Sequence, residues 1–250
     1  MPIDSISNTK SFYEPLRSYL TSTLGHDFEI VTTNSYDSAK DLFLSSEKFS
    51  IVNLNGVIYS QFNTPDRYEL FAQESVGGEA TYNSVFIVRQ SSKFQSLNII
   101  DSKKIGLVSP YSTSGALIPI IQLGKLGFQP GINFEYLFFG SHLSTVQALL
   151  ENKVDIAAVS WKTLKSIIND GLIDGSAIQI LDVSPPIPLD PWLIDKTLSN
   201  KQKIQIKSTF LSLSDQFVLG ELEIDSFLPA KPNHFRHLED DKSFYKSILK

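Results

Sequence analysis

Residues 105–124, Ile-Gly-Leu-Val-Ser-Pro-Tyr-Ser-Thr-Ser-Gly-Ala-Leu-Ile-Pro-Ile-Ile-Gln-Leu-Gly, read as a buried strand, a turn carrying three hydroxyls, and then a helix. A strand that feeds directly into a helix start makes an anion site. The first turn leaves about four backbone N–H groups without internal partners and carries roughly half a positive charge. Ser112, Thr113 and Ser114 add three hydroxyl donors, and Gly115 has no side chain to obstruct an approaching oxyanion. An ordinary N-cap needs only one hydroxyl, so this stretch alone leaves two readings open, a cap and an anion turn.

Working outward, short apolar runs alternate with helical stretches. Phe28 to Thr33, Phe49 to Asn53, Tyr68 to Ala72, Ser84 to Arg89, Ile105 to Ser109, Phe134 to Phe139, Asp155 to Ser160 and Ile178 to Val183 read as strands. Helices are expected over Phe12 to Leu20, after Ser112, His142 and Trp161, and over Ser199 to Leu213 and Asp215 to Leu222, with a last surface helix in Lys231 to Lys250. Alternation of this kind implies mostly parallel sheets with binding sites outside the C-terminal strand ends. Ser184 to Trp192 holds four prolines in nine residues, too many for a helix or a central strand, and reads as an extended connection between lobes.

Composition narrows the function classes. At 250 residues, 42% of them hydrophobic and 20% charged, the chain can bury a large core and makes two lobes or one large α/β domain. A net charge of -5 and the lack of Lys/Arg runs disfavour nucleic acid and a membrane-surface patch. With no cysteine there are no disulfides, thiolate nucleophiles or Cys-type zinc sites. Met1 to Ser5 has neither a basic nor an apolar signal region, and no 18 apolar residues run together. The protein is therefore expected either in the cytosol or as an exported protein whose signal lies outside this sequence.

Strand Phe134 to Phe139 ends in Gly140-Ser141-His142, where the next helix begins. Two adjacent strand–helix turns would bring His142 to the same edge as Ser112 to Ser114. Ser112 or Ser114, His142 and Asp155 can be drawn as a hydrolase triad, but G-x-S-x-G is missing and Asp155 reads as the start of a buried strand. No H-E-x-x-H, Walker loop or G-x-G-x-x-G turn occurs, so no metal, nucleotide or other cofactor is expected, and no enzymatic activity.

The residues resemble the phosphonate-type periplasmic binding proteins, the substrate-capture subunits of ABC transporters for phosphonate, phosphite and related oxyanions. Tyr82-Asn83-Ser84-Val85-Phe86-Ile87-Val88 is similar to the family's Tyr-containing crossing strand, Ser112-Thr113-Ser114-Gly115 to its anion turn, and Gly140-Ser141-His142 to the segment of its binding His. Lys153-Val154-Asp155-Ile156-Ala157 and Ser184 to Pro191 resemble two further segments in the same order.

The resemblance implies an α/β, two-lobed periplasmic binding-protein fold of type II with two crossing strands as hinge. One lobe comprises residues 1–81 with 184–250, the other residues 82–183 with the anion turn. It implies a ligand site of Ser112, Thr113, Ser114 and His142, with Tyr82 adding a phenol donor, Asp190 approaching from the second crossing and Asn55 from an early strand-end loop. The implied partners are a small oxyanion (phosphonate, phosphite or phosphate) and a transporter permease, in a periplasmic or extracytoplasmic location. A ligand-sensing domain using the same cleft is the alternative.

Two positions depart from the aminoethylphosphonate-binding members. Asn55 stands where they carry Tyr, and Lys162 where they carry a Glu facing the ligand amine; a Lys there would repel an ammonium. His142 is expected to bind as imidazolium, because an anion favours the charged form.

Overall fold

A computed structural model of the chain describes residues 6–45, 49–62 and 66–239. The chain separates into two compact units, one of residues up to Thr81 together with Pro188–Glu239, the other of Tyr82–Ile187. The return passage thus lies at 187/188, where the proline run placed it at 183/184.

In chain order, the first unit opens with α1 (Ile6–Leu24), α2 (Tyr36–Ser45), β1 (Ile51–Asn53), α3 (Gly56–Gln61) and β2 (Tyr68–Ser75). The crossing strand β3 (Thr81–Tyr82) leads into β4 (Ser84–Arg89), β5 (Lys103–Leu107), a π-helical turn (Thr113–Leu117) continuous with α4 (Ile118–Lys125), and β6 (Phe134–Phe138). Then come α5 (His142–Leu150), β7 (Ile156–Ser160), α6 (Trp161–Asn169) and β8 (Ile178–Val183). The chain returns through β9 (Ile187–Pro188), which pairs with β3, to β10 (Pro191–Asp195), α7 (Asn200–Leu211), α8 (Gln216–Glu221), β11 (Ser226–Pro229) and α9 (Arg236–Glu239). The surface helix expected over Lys231 to Lys250 is represented by α9; residues 240–250 lie outside the described part.

The sheet of the first unit has the order β1-β10-β2-β11, and β10 is antiparallel to both β1 and β2. The proline-rich stretch therefore ends in a central strand, which the sequence reading excluded. Pro191 is the first residue of that strand, where a missing N–H is tolerated. Behind it, Trp192, Phe210 and Phe227 pack with centroids 5.0–5.6 Å apart, and Leu16 and Leu20, one turn apart on α1, close over the same core. Phe28 to Thr33, expected as a strand, is not part of the sheet: it has no ladder partner among the described residues.

The sheet of the second unit has the order β6-β5-β7-β4-β8. β5 is parallel to β6 and β7, while β4 is antiparallel to β7 and β8. Four strands run one way, as expected of βαβ units, and β4 runs against them because it starts at the crossing whereas the others end on that edge. β4 and β7 are buried along almost their whole length, as a central strand covered on both faces must be.

Candidate functional site

The edge of the second sheet where β5, β6 and β7 end and β4 begins collects most of the polar residues singled out in the sequence. After β5 the chain doubles back on itself: the Val108 N–H donates to the Gly115 carbonyl at 2.9 Å, and the Val108 carbonyl accepts from Gly140 N–H at 2.7 Å. These two bonds fasten the hydroxyl turn and the His142 loop to the same strand end. Ser112 caps the helix, its Oγ accepting the Gly115 N–H at 3.1 Å. That bond uses a lone pair and leaves the hydroxyl proton available, so cap and donor are one residue in two roles. The helix begins as a π-turn, with Leu117 N–H donating to Ser112 O at 3.1 Å, a wider opening than an α-turn gives. Ser112, Thr113 and Ser114 are all buried.

Gly115 is glycine for a reason the sequence did not give. A Cβ there would lie 2.3 Å from Val108 Cγ2 and 2.9 Å from Ser112 Oγ, so the missing side chain serves the packing of the turn against its own strand.

His142 is the first residue of α5, behind an N-cap in which Ser141 Oγ accepts from Ser144 N–H at 3.1 Å. The residue is 4% exposed, and its Nδ1 accepts the backbone N–H of Ser160 at 3.1 Å. An acceptor nitrogen carries no proton, so the proton sits on Nε2, and that buried N–H has no partner among the described residues. Burial lowers the imidazole to about 4. The ligand-free geometry favours the neutral ring over the imidazolium expected for the bound state: protonating Nδ1 would set two N–H donors against each other. In this geometry, without ligand, His142 presents Nε2–H as a one-sided donor.

A chain of contacts joins His142 to the hydroxyl turn. Ser84 Oγ donates to the Ser114 carbonyl at 2.6 Å, Ser84 is the register partner of Ser160 in the β4–β7 pair, and Ser160 N–H holds His142. Facing residues of an antiparallel pair lie about 5 Å apart, so the two helix starts are tied across one strand pair. Ser84 and Ser160 were missed in the sequence because each reads as an ordinary strand end. Tyr82, half-buried in β3, precedes Ser84 by two residues. Lys162 is half-buried in the first turn of α6. Asp155 is not with this group. Its carboxylate accepts Lys104 N–H at 2.9 Å at the opposite end of β7, about 16 Å of strand away from Ser160, which removes the triad.

Asn55 and Asp190 belong to the first unit. Asn55 caps α3, its Oδ1 accepting Ile58 N–H at 2.9 Å. The β1–β10 register, continued by the Leu54 N–H to Pro191 O bond, sets Asn55 across from the buried Asp190. Tyr13, unnoticed in the sequence because it lies in an amphipathic helix pattern, joins them: its hydroxyl donates to Asn53 Oδ1 at 3.2 Å. Its phenol is pushed well up by burial, then by the charges of Glu74 and Asp190.

Two consequences can be measured. Ser84→Ala leaves the buried Ser114 carbonyl without its donor and should cost about 1–3 kcal/mol in urea unfolding. The second is a pH dependence. Because His142 titrates at about 4 when folded and near 6.5 when unfolded, its contribution is complete above pH 6.5 and is lost as pH falls towards 4. Wild type should therefore lose about 2 kcal/mol more than His142→Gln between pH 7 and pH 5; equal losses would show that the ring is not buried neutral.

The chain is similar to the family described as "ABC transporter, phosphonate, periplasmic substrate-binding protein", whose sequence profile matches residues 1–235. The phosphonates-binding periplasmic protein of Escherichia coli is 27% identical over 149 residues, 58% of this chain and 44% of the relative, so the match spans less than half of that relative's length. Among solved structures, a binding-protein component of an ABC phosphonate transporter from Pseudomonas aeruginosa superposes with a TM-score of 0.85 at 23% identity, covering 98% of this chain and 85% of that one. PhnD1 from Prochlorococcus marinus in complex with methylphosphonate gives 0.86 at 17% identity, covering 100% and 96%. At these identities the likeness establishes the fold, the α/β fold of periplasmic binding proteins that the sequence suggested.

Proposed function

Because the chain belongs to the periplasmic phosphonate substrate-binding proteins of ABC transporters, matched over residues 1–235, we propose that it captures a small phosphorus oxyanion and presents it to a transporter permease outside the cytoplasm. The family is one of solute-binding proteins rather than enzymes. The observation that carries the proposal is the buried Nε2–H of His142, without a partner among the described residues and tied to the hydroxyl turn at one sheet edge. A buried donor left unpaired costs about 1–3 kcal/mol, and a phosphoryl oxygen in hydrogen-bond reach would recover that cost. The names of the Escherichia coli relative and of the methylphosphonate complex support the same ligand class.

The proposed donors in the second unit are Ser112, Thr113, Ser114 and His142, joined by the helix-start amides and by the Tyr82 phenol. All of these donors are neutral, so selectivity rests on where acceptor oxygens stand. Asn55 and Asp190 are carried as ligand residues on the resemblance. A carboxylate accepts only, so Asp190 would tolerate a ligand P–OH and repel a fully ionised oxygen.

Calorimetry with methylphosphonate, phosphite and phosphate at pH 7 tests the proposal. Binding of at least one at micromolar concentration is expected, and failure of all three at millimolar concentration would overturn it. Asp190→Asn should change the order of preference among the three; an unchanged order would take Asp190 out of the site.

A further inference from the structure

Gln73 lies in β2, with β10 on one side and β11 on the other, and is only 1% exposed. A buried position inside a sheet normally takes an apolar side chain, because an amide left unpaired there costs free energy. Here both amide hydrogens and the amide oxygen are used. Nε2 donates to the Leu189 carbonyl at 2.7 Å and to the Ala80 carbonyl at 3.2 Å, and Oε1 lies 3.1 Å from Nδ1 of the exposed His234. Turned round, Oε1 would face two carbonyl oxygens, so chemistry fixes the orientation of the amide and puts a proton on His234 Nδ1.

What the amide grips is the backbone that carries Asp190. The Ala80 carbonyl also accepts the Leu189 N–H at 2.9 Å, so Gln73 closes a ring around that bond. A peptide unit is planar, and the Leu189 carbonyl shares its plane with the Asp190 nitrogen; holding the one holds the other. On the far flank, Pro191 confines the residue before it to extended backbone. The Pro191 carbonyl in turn accepts the Leu54 N–H at 3.2 Å and the Asn53 Nδ2 at 3.4 Å. Asp190 is thus buried on a backbone fixed at both of its peptide planes, and its carboxylate keeps only its own side-chain torsions.

We propose that Gln73 is a positioning residue for Asp190, with His234 supporting it from the surface: the carboxamide sets the direction in which the Asp190 carboxylate meets a ligand P–OH. The inference rests on the reading of Asp190 as a ligand residue. Direction matters to that role, because a hydrogen bond weakens steeply once its angle falls below about 120°. A carboxylate free to turn away would also tolerate the ionised oxygen that it is there to repel. The pairing of β2 with β10 and β11 uses backbone groups alone, so the sheet itself gives no reason for an amide at position 73.

A double-mutant cycle on the full chain tests it, read by calorimetry with methylphosphonate below its second ionisation, where the ligand keeps a P–OH. Gln73→Met removes the donors at similar volume. It should lower affinity at least about fivefold where Asp190 is present and less than about twofold in the Asp190→Asn background. His234→Ala should give a smaller loss that also vanishes with Asp190→Asn, and His234→Asn, which keeps a side-chain N–H close to the place of Nδ1, should restore binding. Because His234 is exposed, this pair reads the same coupling even where Gln73→Met fails to fold. A clamp with a structural role alone would lower Tm and cut affinity by the same factor in both backgrounds. That result would overturn the inference and leave the oxyanion reading standing. If Asp190→Asn binds methylphosphonate, phosphite and phosphate as wild type does, or if wild type binds none of them, the ligand reading fails and the inference falls with it.

Discussion

Gly115→Ala is expected to abolish oxyanion binding and to destabilise the fold. The new methyl would sit 2.3 Å from Val108 Cγ2, 2.5 Å from Val108 Cβ and 2.9 Å from Ser112 Oγ, all on the inner side of the turn. Val108 cannot retreat easily, because its N–H and carbonyl are bonded to Gly115 and Gly140. The turn must open instead, breaking the Ser112 cap and displacing the hydroxyls from the helix start. Overpacking of this kind costs about 1–3 kcal/mol, or a fall of roughly 2–12 °C in Tm for a chain of this size. The loss in affinity should be larger, at least about 100-fold, since donors gathered on one anion fail together. Adding Val108→Ala should restore part of the stability, a coupling that distant, independent sites do not show. Calorimetry and thermal unfolding on the two variants decide it, and full binding by Gly115→Ala would remove the turn from the site.

His142→Ala carries the second large effect. It deletes a buried side-chain N–H donor at this sheet edge and leaves the Ser160 amide without its acceptor. A hydrogen bond to a charged partner contributes about 1.5–3 kcal/mol, so affinity should fall roughly 10- to 150-fold. His142→Gln keeps a side-chain N–H and should lose less. Because the ring is already neutral well above pH 4, affinity for a phosphinate, which carries one charge throughout, should be flat from pH 6 to pH 8. A steady decline across that range would mean that the bound ring is imidazolium and that the Ser160 contact breaks on binding.

What the sequence revealed and what it concealed divide along physical lines. The hydroxyl turn was legible because strand, Ser-Thr-Ser-Gly and helix are local signals, and the caps at Ser112, Ser141 and Ser199 follow from the same local preference. The purpose of Gly115 was not, since it depends on Val108 folding back over seven residues. The tautomer of His142 is set by an amide 18 residues away, which no pattern of types encodes. Phe28 to Thr33 has the alternation of a strand, but alternation specifies only which faces are buried; a ladder also needs a neighbour at its edge. Pro191 misled because a proline count ignores position, and the first residue of a strand is the one place in a central strand where proline fits. Tyr13 was hidden because an aromatic at helical spacing reads as core, and only the fold sets its hydroxyl beside Asn53 and within the field of Asp190.

The most direct test of the central claim, that a neutral His142 donates its Nε2–H to a phosphorus oxyanion, is nitrogen-15 NMR of the histidine rings during titration with methylphosphonate. The account predicts a protonated Nε2 and an unprotonated Nδ1 before and after addition, with the Nε2–H proton moving downfield as the ligand saturates. A ring protonated on both nitrogens in the complex, or an Nε2–H resonance that does not respond to a ligand which calorimetry shows to be bound, would contradict it.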